Sequence, residues 1–249
     1  MEVKGIVKMR RNNKTVIDII NLSYSYGSKK IYENLNLQIK QGSVFGLLGK
    51  NGVGKSTLIN IIMGYLSFQK GQCLIFNQPS NQLSAKDKEN IALLHEGFIT
   101  YDYMNIEQVE RFFASFYPKW KRNLFYDLIT LMTLNYSQKI STLSCGQKSQ
   151  IVLGCLLAQD AKLLILDDYS MGLDAGYRRL FIEYLKEYIQ KNNKTVLITS
   201  HTMNDLEHVI DDMAIIQKGG LIHLDTMENF NRDKSTTFED KFLDFVGKY

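Results

Sequence analysis

The sequence predicts an α/β fold: a parallel sheet flanked by helices, an antiparallel β layer near the N-terminus, and a helical lobe. Three observations carry this. Apolar strand-length runs alternate with helix-length segments, the pattern of strands that run parallel because each connection crosses back over the sheet. A glycine-rich stretch, GKNGVGKS (Gly49 to Ser56), joins a buried-strand run to a helix start. From about residue 98 to 140 the character changes: FFASFYPKWKRNLFYDLITLMTL is aromatic, helix-periodic and almost free of glycine, which marks a helical insertion.

The elements follow in order. Residues 15–26 (TVIDIINLSYSY) are rich in strand formers and end at a Gly27-Ser28 turn, and 31–39 (IYENLNLQI) alternate as a half-buried strand. SVFGLLG (43–49) reads as a fully buried strand, STLINIIMGYL (56–66) as the helix after it, and GQCLIF (71–76) as another strand. Beyond the insertion come a helix (about 146–158), a buried strand (163–167), a long helix (about 175–191), the strand TVLITS (195–200) and a helix from about Thr202. MAIIQKGGLIHLD (213–225) reads as a hairpin turning at Gly219-Gly220.

Bulk properties narrow the function. A chain of 249 residues, 45% hydrophobic and 22% charged, can bury a large core. Its net charge of +4 is mild, and no basic tract or aromatic-basic ladder points to nucleic acid. Cys73, Cys145 and Cys155 form no C-x-x-C pair, which suggests reduced thiols. The N-terminal MEVKGIVKMRRNNK lacks the apolar centre of a signal peptide, and apolar stretches such as LINIIMGYL stop far short of a membrane span. If this protein serves a membrane, another chain crosses it.

GKNGVGKS matches G-x-x-x-x-G-K-[ST] in full, in the strand–loop–helix setting the motif requires. Such a loop, here Gly49, Lys50, Asn51, Gly52, Val53 and Gly54, turns its N–H groups inward to cradle phosphate oxygens, and the helix N-terminus adds its positive end. Lys55 is then expected on the β- and γ-phosphates, Ser56 on Mg²⁺ and Thr57 beside them in the first helical turn. A glycine turn without a ligand is the bland alternative. The expected fold is therefore a P-loop NTPase.

LDDYSMGLD (166–174) follows an apolar run and places Asp167 and Asp168 at the end of a buried strand. Adjacent buried carboxylates need a positive neighbour. Nucleoside triphosphates bring Mg²⁺, so Asp167, on a strand expected beside the cradle, is the second protein ligand. A turn or helix-cap acid is the alternative for Asp167 alone.

Further motifs make the chain resemble the ATP-binding subunits of ABC transporters, in particular bacterial exporters, over nearly its whole length. LSCGQ (Leu143 to Gln147) resembles the family signature, usually LSGGQ, and stands 24 residues (167 − 143) before Asp167. MGLD resembles the D-loop (Ser170 to Asp174), His201 in TSH the switch histidine, and Tyr26 the aromatic that stacks on adenine. The resemblance implies a RecA-like core and one ATP-binding domain over 1–249. Within it, about 1–97 and 141–225 form the core with the antiparallel layer, about 98–140 the lobe and about 226–249 a C-terminal tail. It also implies two such subunits meeting head to tail, identical or different, with Ser144, Gly146 and Gln147 of one facing the ATP in the cradle of the other. A membrane-spanning permease would be the second partner, and the site of action the cytoplasmic face of the cell membrane. LSCGQ also reads as a polar cap opening the helix SQIVLGCLLA.

The sequence departs from the family pattern at several positions. Where the family has a Mg²⁺-sensing glutamine, this chain has Glu96 in IALLHEG, with His95 the candidate if the register slips by one. Cys145 replaces a signature glycine, read as tolerated variation. Phe112, Phe113 and Phe116 of FFASFYPKW read as lobe core, while Tyr117 and Trp120 could instead form a groove for a helix of the membrane partner. Asp168 stands where the family has the glutamate that serves as general base, and Tyr169 where it has proline. Losing one methylene draws the carboxylate back by roughly 1 Å, and a misplacement of that size can cost on the order of 10²-fold in rate. Slow but real Mg²⁺-dependent ATP hydrolysis is expected, driving export, with a non-transport ATP switch on a membrane or envelope complex as the alternative. A soluble ABC protein of ribosomes or DNA is disfavoured, since such chains generally carry two cassettes or long coiled coils.

Overall fold

The computed structural model describes residues 14–95, 101–170, 172–200, 206–217, 222–232 and 236–247. Two sheets form its centre. In the first, β1 (Thr15–Tyr26) and β2 (Lys29–Lys40) make a long antiparallel hairpin, extended by β4 (Lys70–Ile75) and β5 (Gln78–Pro79) in the order β2-β1-β4-β5. The second contains β3 (Val44–Leu48), β6 (Ile91–Leu94), β7 (Leu163–Leu166), β8 (Thr195–Ser200), β9 (Asp212–Ile216) and β10 (Ile222–Thr226), in the order β10-β9-β3-β8-β7-β6. Only β10 runs antiparallel. It pairs with β9 as the expected hairpin, and the Gly219-Gly220 turn lies outside the described residues.

The strand sequences read as continuous apolar runs because both faces of this sheet are covered. Alternate residues point to opposite sides, so Phe45, Leu47, Leu163 and Ile165 enter a core with the antiparallel sheet and α1 (Lys55–Ile62). Val44, Leu48, Leu164 and Leu166 enter a second core with α5 (Cys145–Ala158) and α6 (Ala175–Asn192). That second core also takes Met227 and Phe230 of α7 (Met227–Phe230) and Phe238 and Phe242 of α8 (Phe238–Gly247). Much of the stretch read as a tail is therefore packed.

The lobe holds α3 (Ile106–Ala114) and α4 (Arg122–Thr130), and α5 is its third wall: Ile151, Cys155 and Ala158 join Ile106, Phe125 and Ile129 in a third apolar cluster. Short α2 (Ala85–Lys88) precedes β6.

Two expectations need correction. The helix read over 56–66 ends at Ile62 because Gly64, in left-handed conformation (φ 72°), turns the chain so that Tyr65 and Leu66 both donate to Asn60 O. The strand bearing Asp167 does not lie beside the cradle strand. β8 stands between β3 and β7, so the cradle and the acids sit two strands apart. The helix expected from Thr202 falls partly on residues 201–205, outside the described set, and 206–209 are turns.

Candidate functional site

β3 ends at Leu48, and the chain crosses from Gly49 to Gly54 before α1 begins at Lys55. Gly54 is the helix N-cap at φ 122°, where an added Cβ would lie 2.8 Å from Ile31 Cγ2 and 2.9 Å from Tyr32 Oη. Only glycine fits both this conformation and this approach. Buried Tyr32 donates from Oη to Gly54 O at 2.8 Å and so anchors the loop from β2. Burial pushes the Tyr32 phenol up, which keeps it a protonated donor. Gly54, having no side chain, brings no side-chain cap to the start of α1. Lys55 Nζ curls back over the loop and donates to Gly49 O at 2.7 Å and Lys50 O at 3.0 Å.

A cavity of about 320 Å³ opens at the C-terminal ends of the parallel strands, the usual ligand position in such sheets. Asn51, Gly52, Gly54, Lys55, Ser56 and Thr57 line one side; Asp167, Asp168, Thr199 and Ser200 line the other. Tyr26, 49% exposed, stands at its rim with Lys29 and Ile31. The structure thus brings together Tyr26, half of the loop, the first residues of α1 and both acids. Gly49, Lys50 and Val53 belong to the loop but do not line the cavity.

Asp167 is 3% exposed. Its Oδ1 accepts from Thr199 Oγ1 at 2.8 Å, and the same hydroxyl accepts from the Asp168 N–H at 2.9 Å. Asp168 adopts left-handed backbone (φ 50°), which aspartate tolerates better than most residues, and its Oδ1 accepts from Ser170 Oγ at 3.0 Å. Tyr169 is buried against Phe181, ring centroids 5.9 Å apart, and fixes the turn by packing.

The residues fit a Mg²⁺-nucleotide. A carboxylate, a serine hydroxyl and a lysine ammonium face a cavity bordered by the N-terminal turn of α1, an arrangement of hard oxygen donors and positive charge suited to a metal–phosphate group. Glu96 and His201 lie outside the described residues.

Ser144, Gly146 and Gln147 line none of this cavity. They open α5 as a capping box: Gln147 N–H donates to Ser144 Oγ at 3.2 Å, and Ser144 N–H donates to Gln147 Oε1 at 2.9 Å. Ser144 Oγ is the acceptor there, so its own O–H can still donate. Gly146 is buried, and an added Cβ would lie 2.8 Å from Tyr177 Cδ2. Gly172 accommodates Cys145, whose Sγ would lie 2.7 Å from a Cβ there. Asp174 caps α6 by accepting from Tyr177 N–H at 2.9 Å.

A second, apolar cavity of about 130 Å³ lies between β6 and the lobe, with Leu93, Leu94, Tyr101, Phe113, Tyr117 and Cys155 among its walls. The aromatic block divides differently from either sequence expectation. Tyr117 and Phe113 line the cavity, whereas Phe116 is 62% exposed. Trp120 packs on the lobe core and donates from Nε1 to buried Glu110 at 2.9 Å.

The sequence reading missed Thr199, Tyr32 and Lys29. Thr199 was legible only as a strand residue one position before Ser200. Nothing local in the sequence ties it to acids 32 residues away.

Residues 32–170 match the family model described as ABC transporter. The chain belongs to the ABC transporter family. It is 31% identical over 229 residues to YhcH, an uncharacterized ABC transporter ATP-binding protein of Bacillus subtilis, covering 90% of this chain and 74% of that protein. It is 30% identical to the linearmycin resistance ATP-binding protein LnrL of Bacillus subtilis, over 83% of this chain and 68% of that one. It is also 30% identical to the bacitracin transport ATP-binding protein BcrA of Bacillus licheniformis, over 93% and 74%. Among solved structures, an ATP-binding subunit of an ABC transporter superposes with a TM-score of 0.78 at 21% identity, covering 92% of this chain and 99% of that one. The two-sheet P-loop fold is thus that of ABC ATP-binding subunits, and this ABC protein is an ATP-binding, ATPase-type subunit. No helix among the described residues is long and apolar enough to cross a membrane.

Proposed function

We propose that this subunit pairs with a second nucleotide-binding subunit, identical or different, and drives a separate membrane-spanning permease to export a substrate from the cytoplasmic face of the membrane. The observation that carries the reading is the division of the site. The cradle and both acids line one cavity, while Ser144, Gly146 and Gln147 line none of it and open an outward helix end. A signature that cannot serve its own cavity is suited to closing another subunit's. The resistance and transport names of LnrL and BcrA support export, and the apolar cavity beside Tyr117 has room for one apolar side chain from a helix of the permease.

When bound, Mg-ATP supplies the phosphoanhydride bond and a divalent charge that offsets negative charge on the phosphates. Lys55 exchanges its contacts with Gly49 O and Lys50 O for phosphate oxygens. Ser56 and Asp167 would hold the metal, with Glu96 as the candidate further oxygen ligand. Thr199 fixes one oxygen of Asp167 and so orients the carboxylate that would serve the metal. Asp168 is the general base that orients and deprotonates water, and His201 the switch residue. Tyr26 at the rim takes the adenine face. With Ser170 holding one Asp168 oxygen, the short carboxylate stays close to its own turn, consistent with slow turnover.

The test is recovery of the chain with its membrane partner. Co-purification of a permease bearing a plausible substrate path, with ATP turnover lost in Lys55→Ala, is expected. A partner lacking any such path would replace transport by a non-transport switch on a membrane or envelope complex.

A further inference from the structure

Two segments meet directly ahead of the signature helix. Residues 102–107, downstream of Glu96, run beside residues 136–141, which lead into α5. Ile140 N–H donates to Met104 O at 2.9 Å, and Ser141 N–H to Asp102 O at 3.2 Å. Ile106 N–H donates to Gln138 O and Glu107 N–H to Tyr136 O, both at 3.2 Å. Asn105 and Lys139 complete this clasp as an antiparallel bridge.

One side-chain contact carries the clasp onto the helix itself. Lys148 Nζ donates to Asp102 Oδ1 at 2.9 Å, across 46 residues of sequence. Lys148 directly follows Gln147, and its own N–H donates to Ser144 O at 2.9 Å, closing the first helical turn. The residue that grips Asp102 therefore also closes the turn that presents Ser144 and Gly146. The Lys148 side chain is only 21% exposed, against 55% for Asp102, so the lysine is the better-held partner. Neither residue lines the cradle cavity.

We propose that Asp102 and Lys148 are positioning residues, a latch through which the chain downstream of Glu96 sets the orientation of the signature turn toward a second subunit. This rests on the reading that Ser144 and Gly146 complete another subunit's site. A latch of this kind acts on closure around ATP, not on capture of ATP by the cradle. It therefore separates two measurements that a merely stabilising ion pair would move together.

The experiment uses the full chain with its co-purified membrane partner. Wild type, Asp102→Asn, Lys148→Gln and the charge reversal D102K/K148D are compared for kcat and KM, and for binding of a fluorescent ATP analogue in the presence of Mg²⁺. Each single variant is expected to keep analogue affinity, with the thermal midpoint lowered by no more than about 4 °C, while kcat/KM falls about two- to five-fold, the range for a partly exposed ion pair. The reversal is expected to recover most of the loss. Single variants with wild-type kcat/KM, a reversal no better than the singles, or a loss matched by weaker analogue binding would overturn the latch. A Ser144→Arg control separates the two levels: wild-type turnover there defeats the signature reading itself, whereas loss there with normal latch variants defeats the latch alone.

Discussion

Thr199 Oγ1 donates to Asp167 Oδ1 at 2.8 Å, so the central strand β8 secures the acid at the end of β7 from one strand nearer the cradle. Both residues are buried, and the hydroxyl also accepts from the Asp168 N–H. Thr199→Val preserves shape and removes both bonds, leaving a buried carboxylate and a backbone donor short of a partner. We expect a loss of about 1–3 kcal/mol in urea unfolding and a clear fall in ATP turnover, with Thr199→Ser close to wild type. Equal stability and turnover in the valine variant would show that Asp167 is held by other means.

Asp168 is expected to limit the rate. Asp168→Asn keeps the left-handed turn and removes the charge, so turnover should fall by about 10²-fold or more, the scale of general-base catalysis. Asp168→Glu restores the missing methylene and should raise turnover, by at most on the order of 10²-fold. Its longer side chain sits less well at positive φ, at a cost of about 0.5–1 kcal/mol from the several-fold preference for aspartate there. ATPase rates with the partner present decide the matter, and an unchanged rate in the asparagine variant removes Asp168 from the role of base.

Gly146 is constrained by packing as well as by ligand access. Its Cβ position lies 2.8 Å from Tyr177 Cδ2, so Gly146→Ala should destabilise by about 1–3 kcal/mol. Adding Tyr177→Ala should relieve the clash, giving a double-variant cost smaller than the sum of the singles. Chemical denaturation of all four proteins measures this, and simple additivity would mean the ring moves aside freely.

Cys73 introduces a pH dependence. It lies opposite Ile19 in the antiparallel sheet, and burial, with a smaller push from Asp18, raises its thiol from 9.0 to about 11 against an opposing hydrogen bond with Ser80. The folded chain holds this proton more tightly than the unfolded chain. The contribution is fully present below pH 9 and is lost as pH rises from 9 towards 11, at up to about 1.4 kcal/mol per pH unit. Urea unfolding at pH 8, 9 and 10 should show a steeper decline for wild type than for Cys73→Ala; parallel slopes would contradict it.

Much of this was legible because the signals are local. The loop from Gly49 to Ser56 announces itself by spacing, Ser144 and Gln147 by capping chemistry at positions i and i+3, and the buried strands by unbroken apolar runs. The sequence predicts too long a first helix because Met63, Tyr65 and Leu66 continue its apolar pattern. The left-handed turn at Gly64 ends it, and the close approach of Ser80 O, 2.4 Å from where a Cβ would lie, reserves that position for glycine. The aromatic block was likewise ambiguous, because Tyr117 and Trp120 have similar chemistry and only the fold turns one into a cavity wall and the other onto Glu110.

By itself the sequence determined the fold class, the phosphate loop and the pair of acids, since each is written in contiguous residues whose backbone geometry depends on near neighbours. Only the tertiary structure decided that β8 lies between the cradle strand and the acids, that Thr199 binds both Asp167 and the Asp168 N–H, and that Asp102 grips Lys148. Strand order follows from how two faces of one sheet are covered at once, and a hydrogen bond across 32 residues or an ion pair across 46 depends on that packing, which no local pattern encodes.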